Sequence, residues 1–170
     1  MQLFLSAIHS LWYTYTAISG IENVPEFVSV GFLDGVPLVY YDSNTRRMSP
    51  RQEWMDKSVE SVYWERETQI SIGFQELYKI NIYIAKEHFK QTGGVHTLQV
   101  IYGCEWDDES GATSGFNQFG YDGEDLLSLD LKELRWISPV QQGFITTQKW
   151  NNDRLWLEKN KHFFSTECTE

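Results

Sequence analysis

Apolar and aromatic residues alternate with polar ones over residues 10–18, around Trp12, Tyr13, Tyr15 and Ala17, and this period of two predicts a strand. Residues 27–32 and 38–41 read as the next two strands, joined through Asp34-Gly35, a strong hairpin-turn pair. Asp42-Ser43-Asn44 marks another turn, leading to a short fourth strand ending at Met48. The pattern then changes period. Ser49-Pro50-Arg51-Gln52 combines a capping side chain, a proline suited to the first helical position and the glutamine of a capping box. Residues 57–91 hold no proline and one glycine, Gly73, while Ile70, Phe74, Leu77, Tyr78, Ile80, Ile84 and Ala85 recur at helical spacing. Thr92-Gly93-Gly94 ends the helix.

The second half repeats the plan. Residues 96–106 read as a strand, 107–111 as an acidic turn and 115–121 as the next strand. Asp122-Gly123 is again a hairpin pair, followed by strands at 126–131 and 134–137. Ser138-Pro139-Val140-Gln141 repeats the cap, the proline and the capping box, and the chain is helical in pattern from there to Cys168. Gly35 to Pro50 and Gly123 to Pro139 are 15 and 16 residues apart, so the same unit occurs twice. The predicted class is α+β: two halves, 8–92 and 93–170, each of four strands followed by helix, joined into one eight-stranded antiparallel sheet and forming one platform. One sheet face would carry two long antiparallel helical segments and the other would be bare, available to a partner. A helix of ~25–30 residues is roughly 40 Å long, and eight extended residues span about 26 Å, so a cleft between the helices could hold a short peptide.

Composition narrows the partners. A net charge of −10 excludes the basic footprint that nucleic acid requires and disfavours anionic membrane. Seven Trp, nine Tyr and ten Phe in 170 residues supply ring surface for a thick core or an aromatic-lined binding surface. No stretch approaches the ~20 apolar residues that span a bilayer. Residues 1–7 form an apolar run ending in small residues, without a basic leader; they fit a signal remnant or an extension of the first strand. Cys104 and Cys168 fit two free thiols in a reducing compartment or one disulfide in an oxidising one, and composition leaves both open.

Nothing in the sequence calls for catalysis, and no catalytic residue, metal site or cofactor is expected. His9, His88, His96 and His162 are scattered, and no His-Glu-x-x-His, Cys-x-x-Cys, Gly-x-Ser-x-Gly or phosphate loop occurs. Asp107, Asp108 and Glu109 lack EF-hand spacing and read as a solvated turn. A secreted hydrolase with acidic acid and base groups would need a paired histidine and carboxylate that the sequence does not display.

Tyr63-Trp64, Tyr102-Gly103-Cys104-Glu105-Trp106, Gly120-Tyr121-Asp122-Gly123-Glu124-Asp125 and Thr146-Thr147-Gln148-Lys149-Trp150 together resemble the peptide-binding platform of MHC class I heavy chains. The Glu105-Trp106-Asp107-Asp108-Glu109 turn and the Gln91-Thr92-Gly93-Gly94-Val95-His96 junction resemble bony-fish members. The resemblance runs from about Ile8 to Cys168. It implies a Cys104–Cys168 disulfide tying a floor strand to the helix above it. It implies presentation of a short peptide to receptors on T cells or natural killer cells at the external side of the plasma membrane. Beta-2-microglobulin would cover the bare sheet face, and the family's membrane anchor and immunoglobulin-like domain are not in this chain. The alternative is a nonclassical member binding lipid, another small ligand or a protein, and no peptide.

The resemblance also implies which side chains face the groove. From the first helix these are Tyr63, Glu67, Ile70, Ser71, Phe74, Leu77, Tyr78, Asn81, Ile84 and His88. From the floor they are Tyr13, Tyr15, Val100, Tyr102, Asn117 and Phe119. At the end that would hold a peptide carboxylate stand Thr146, Lys149 and Trp150, with His88 where mammalian presenters have Tyr and many fish presenters Arg. At the amino end Tyr13 and Tyr63 match the pattern, but Phe163 replaces a Tyr and so lacks its hydroxyl; the last matching Tyr and a nearby Trp fall beyond Glu170. Lys90 stands where the family has its glycosylation acceptor, and no Asn-x-Ser/Thr sequon occurs in the chain.

Overall fold

A computed structural model describes residues 7–169. The expectation for residues 1–7 therefore falls almost wholly outside the described residues; Ala7 donates its N–H to Asp108 Oδ1 at 3.0 Å. Eight strands form one antiparallel sheet: β1 (Ile8–Ser19), β2 (Phe27–Leu33), β3 (Val36–Asp42), β4 (Ser49–Pro50), β5 (His96–Asp107), β6 (Thr113–Tyr121), β7 (Glu124–Asp130) and β8 (Arg135–Ile137). Their order across the sheet is β4-β3-β2-β1-β5-β6-β7-β8, so β1 and β5, the first strand of each repeat, meet at the centre. Both Asp-Gly pairs turn with positive φ at the two residues, 50° and 76° at Asp34 and Gly35 and 50° and 84° at Asp122 and Gly123, the geometry that matches strand twist.

The helices are α1 (Glu53–Ser58), α2 (Ser61–His88), α3 (Phe144–Asn152) and α4 (Arg154–Ser165), with short 3-10 turns at Gln141–Gly143 and Glu167–Thr169. Register sorts the strand side chains into two faces. Leu11 and Cys104, Tyr13 and Tyr102, Tyr15 and Val100, and Ala17 and Leu98 are cross-strand partners on the face beneath the helices. There the core is built from Phe27, Tyr41, Leu98, Trp136, Leu157 and Phe164, all nearly or fully buried. The opposite face carries Trp12 stacked on Phe32, with ring centroids 4.1 Å apart, and a 43 % exposed Ile101.

Two expectations are corrected. Ser49 and Pro50 do not open a helix. They form the edge strand β4, paired with Tyr40 and Val39, and Ser49 Oγ donates to the Tyr40 carbonyl at 3.2 Å. An edge strand tolerates proline because no neighbour needs its missing N–H. Helix α1 starts at Glu53, and Gln52, expected to close a capping box, donates Nε2 to the Pro37 carbonyl instead. The second copy departs differently: Ser138 and Pro139 lie outside any strand, Ser138 Oγ accepts from Val140 N and donates to the Leu126 carbonyl, and a 3-10 turn at Gln141–Gly143 precedes the α-helix, which begins at Phe144.

The continuous helices expected over 57–91 and on to Cys168 are each interrupted. Val59 and Glu60 are extended between α1 and α2. Asp153, at φ −87° and ψ 78°, separates α3 from α4 and accepts a 3.0 Å bond from Trp156 N as the cap of α4. The disulfide Cys104–Cys168 is formed, with Cα atoms 6.1 Å apart, and fastens the 3-10 turn that follows α4 to β5. Gly115 of β6 lets α4 sit low: a Cβ there would lie 2.6 Å from the Phe164 side chain.

Candidate functional site

Helix α2 forms one wall of a groove, α3 and α4 the other, and β1, β5 and β6 its floor. At the end beneath α4, Tyr13 and Tyr102 face each other across β1 and β5, with Asn117 beside Tyr102 on β6. The Phe163 ring stacks on Tyr102 at 5.0 Å, and Phe164 packs against the same ring at 5.0 Å. Burial first, then the neighbouring Tyr63 hydroxyl and Glu67 carboxylate, pushes the Tyr13 phenol up to about 12. Burial likewise raises Tyr15, Tyr78 and Tyr102, so these hydroxyls stay protonated across the physiological range. Glu67 is held by Arg66 at 3.3 Å.

Midway along the groove the rings join. Tyr78 of α2 lies 5.5 Å from Tyr15 on the floor and 6.4 Å from Phe119 on β6. Phe119 is 5.3 Å from Trp150 of α3, which in turn contacts Trp136 and Trp156 at 4.8 and 5.2 Å. Beyond this band the groove opens into a cavity of about 260 Å³. Asn81, Ile84, His88, Phe119, Thr146, Lys149 and Trp150, seven of the residues singled out in the sequence, line it together. Their apolar floor is completed by Leu98, Leu126 and Leu127. A larger space of about 780 Å³ adjoins it past Phe89 and Gln142, bounded by the acidic 122–126 hairpin and lying at the sheet's end.

The other predicted groove residues are distributed by height. Val100, Ser71, Asn117 and Tyr78 are buried, so they form the base of the groove or its filling. Ile70 and Leu77 are 45 % and 47 % exposed on the upper rim. Tyr63 and Phe74 are half-buried along α2. The residues that the sequence reading missed are Trp136 and Trp156, stacked at 5.3 Å behind Trp150. Their density of aromatics was visible, but their meeting required the bend at Asp153. Among the described residues, no group of three or more His, Cys, Asp or Glu is arranged to hold a metal ion.

A groove between two helical walls over an eight-stranded floor, stapled by one disulfide, defines an antigen-recognition platform. The model of the class I histocompatibility antigen alpha 1 and 2 domains matches residues 7–170, and the chain belongs to that family. It is 37 % identical over 161 residues to major histocompatibility complex class I-related protein 1 of Rattus norvegicus, covering 94 % of this chain and 46 % of the relative. It is 34 % identical to the class I histocompatibility antigen F10 alpha chain of Gallus gallus, over 96 % of this chain and 47 % of that one. It is 37 % identical to the H-2 class I K-K alpha chain of Mus musculus, over 88 % and 43 %. The chain thus spans about half the length of the relatives it matches.

Proposed function

We propose that this chain is the ligand-displaying part of a class I molecule, holding a short peptide between α2 and α3–α4 for receptors on T cells or natural killer cells at the cell surface. The observation that carries the reading is the cavity of about 260 Å³ whose rim gathers Thr146, Lys149 and His88 over an apolar base. A hydroxyl, an ammonium and an imidazole are donors suited to a terminal carboxylate, and the base is suited to one apolar side chain. Beta-2-microglobulin covers the sheet face that bears Trp12, Phe32 and Ile101, and no chemical transformation is involved. No helix among the described residues is long and apolar enough to cross a membrane. The test is refolding with beta-2-microglobulin and a random peptide library, then mass spectrometry of the eluate. Peptides of one length sharing an apolar last residue are expected; stable refolding with nothing eluted would overturn the peptide.

A second reading, display of a small non-peptide ligand, is favoured by one feature. Phe163 occupies the space above Tyr102 where a peptide's amino terminus would need hydroxyl acceptors, and its ring offers none.

A further inference from the structure

The two free edges of the sheet are closed in different ways. Strand β4 is the edge of the first half, and Pro50 in it has no N–H to offer a further strand. Beside it Gln52 Nε2 donates to the Pro37 carbonyl at 2.9 Å. Strand β8 is the edge of the second half, and it contains no proline. Successive residues of an antiparallel strand direct their N–H and C=O to opposite sides. Trp136 directs both of its groups away from β7: its N–H donates to Asn151 Oδ1 at 2.6 Å, and its carbonyl accepts from Asn151 Nδ2 at 3.0 Å. The flanking Arg135 and Ile137 therefore turn theirs towards Asp130 and Ser128 of β7. Asn151, in the last turn of α3, thus stands where an adjoining strand would, with a carbonyl and an N–H side by side.

We infer that Asn151 guards this edge: it occupies the outward N–H and C=O of β8 and so keeps the edge from pairing with β8 of a second copy of this chain. The strand itself sets which occupant is excluded. Trp136 offers one donor and one acceptor, so two copies related by a two-fold axis would exchange both bonds, Trp136 with Trp136. That register sets Arg135 of one copy opposite Ile137 of the other. Both side chains are accessible, Arg135 being exposed and Ile137 42 % exposed. The Trp136 ring takes no part, since it is 1 % exposed and packed against Trp150 and Trp156. An open edge with a free donor and acceptor is a template for association. Helix α3 therefore has a second task besides walling the groove, and that task is independent of what the groove holds.

The test follows self-association of the purified chain by sedimentation velocity over a concentration series, after near-ultraviolet dichroism has shown each variant to be folded. Every variant keeps the bare sheet face with Trp12 and Phe32, so association through that face cancels in the comparison. Asn151→Ala should form dimers about tenfold or more tightly than the unaltered chain. Adding Ile137→Arg sets like charges opposite each other in this register and should return the chain to its unaltered behaviour. Adding Ile137→Glu instead sets Arg135 opposite a carboxylate and should tighten the dimer by about threefold or more. A folded Asn151→Ala that associates no more than the unaltered chain would overturn the inference, as would association indifferent to the charge at position 137. Hydrogen exchange of the unaltered chain supplies a second reading should Asn151→Ala not fold. The Trp136 N–H, although on an edge strand, should exchange about 100-fold or more slowly than an unstructured amide, and exchange at the unprotected rate would overturn the guard.

Discussion

The two ends of the groove are built from the same repeated unit and finished in opposite ways. Beneath α4 the end is closed. Cys168 is bonded to Cys104, Phe164 sits on Gly115, and Phe163 covers Tyr102. At the end of α2 the same sheet leaves a chamber under Asn81, Thr146 and Lys149. The difference comes from side-chain size at a few positions on similar backbones. It teaches that a duplicated fold specifies a groove, while the filling of each end is a local packing decision.

Breaking the closed end should produce the largest effect. Replacing Cys104 and Cys168 by serine removes a cross-link closing a loop of 64 residues, for which chain entropy predicts a loss of about 4 kcal/mol; denaturant unfolding with and without reductant measures it. No loss on reduction would mean that packing alone closes this end. Next comes Gly115→Ala. Its methyl would meet Phe164 at 2.6 Å, so α4 must rise, at a cost of about 1–3 kcal/mol in unfolding free energy. The same substitution at Gly73, where nothing lies within 4 Å, serves as the control and should not destabilise.

A smaller effect tests what the ends share. Each carries a histidine held by the aspartate of a hairpin: His9 by Asp34 at 2.9 Å and His96 by Asp122 at 2.7 Å. The second pair is the better sheltered, and His96 Nε2 also donates to the Gly93 carbonyl at 2.7 Å. The Asp122 bond, and after it the Gly93 carbonyl, raises the His96 pKa above 6.5 against the opposing effect of burial and of Lys86. A pKa raised on folding stabilises fully below the unfolded value and ceases to do so as pH rises through the folded one. Asp122→Asn should therefore destabilise more at pH 6 than at pH 9, since asparagine can still accept from Thr97 N in place of the 2.8 Å carboxylate bond. A deficit independent of pH would show that His96 is not charged in the folded protein.

The smallest effect lies where α2 ends. Lys90 has φ 55°, a left-handed conformation that costs a side chain with a Cβ, so Lys90→Gly should stabilise by ~0.5 kcal/mol, readable as a rise in Tm.

Strand positions were legible because alternation survives burial on one face: β1, β2, β5 and β6 lie within two residues of their predicted bounds. Both hairpins followed from Asp-Gly alone. The first helix start was misread because serine and proline carry the same local signal at an edge strand as at a cap, and pairing with Tyr40 decided between them. The breaks at Val59–Glu60 and Asp153 were missed because neither contains proline or glycine. Asp153 as a capping residue was the one local clue to the second. Asn81, Ile84, His88, Phe119, Thr146, Lys149 and Trp150 were found through family resemblance, and they line one chamber, whereas Tyr102 and Asn117 lie beneath α4; Trp136 and Trp156 were not found, because no periodicity links them to the chamber.

By itself, then, the sequence determined a twice-repeated strand-and-helix unit, a sheet with one apolar face to cover, and the chemical groups available to a groove, since these depend on neighbours along the chain. Only the tertiary structure decided which of those groups meet across it. Phe119 comes from the floor, Tyr78 from one wall and Trp150 from the other, and their contact depends on how far α2 and α3 stand apart above the sheet. That spacing is set by core packing between elements distant in the chain; Asp153 marks locally where α3 gives way to α4, but not how the two helices then lie on the sheet.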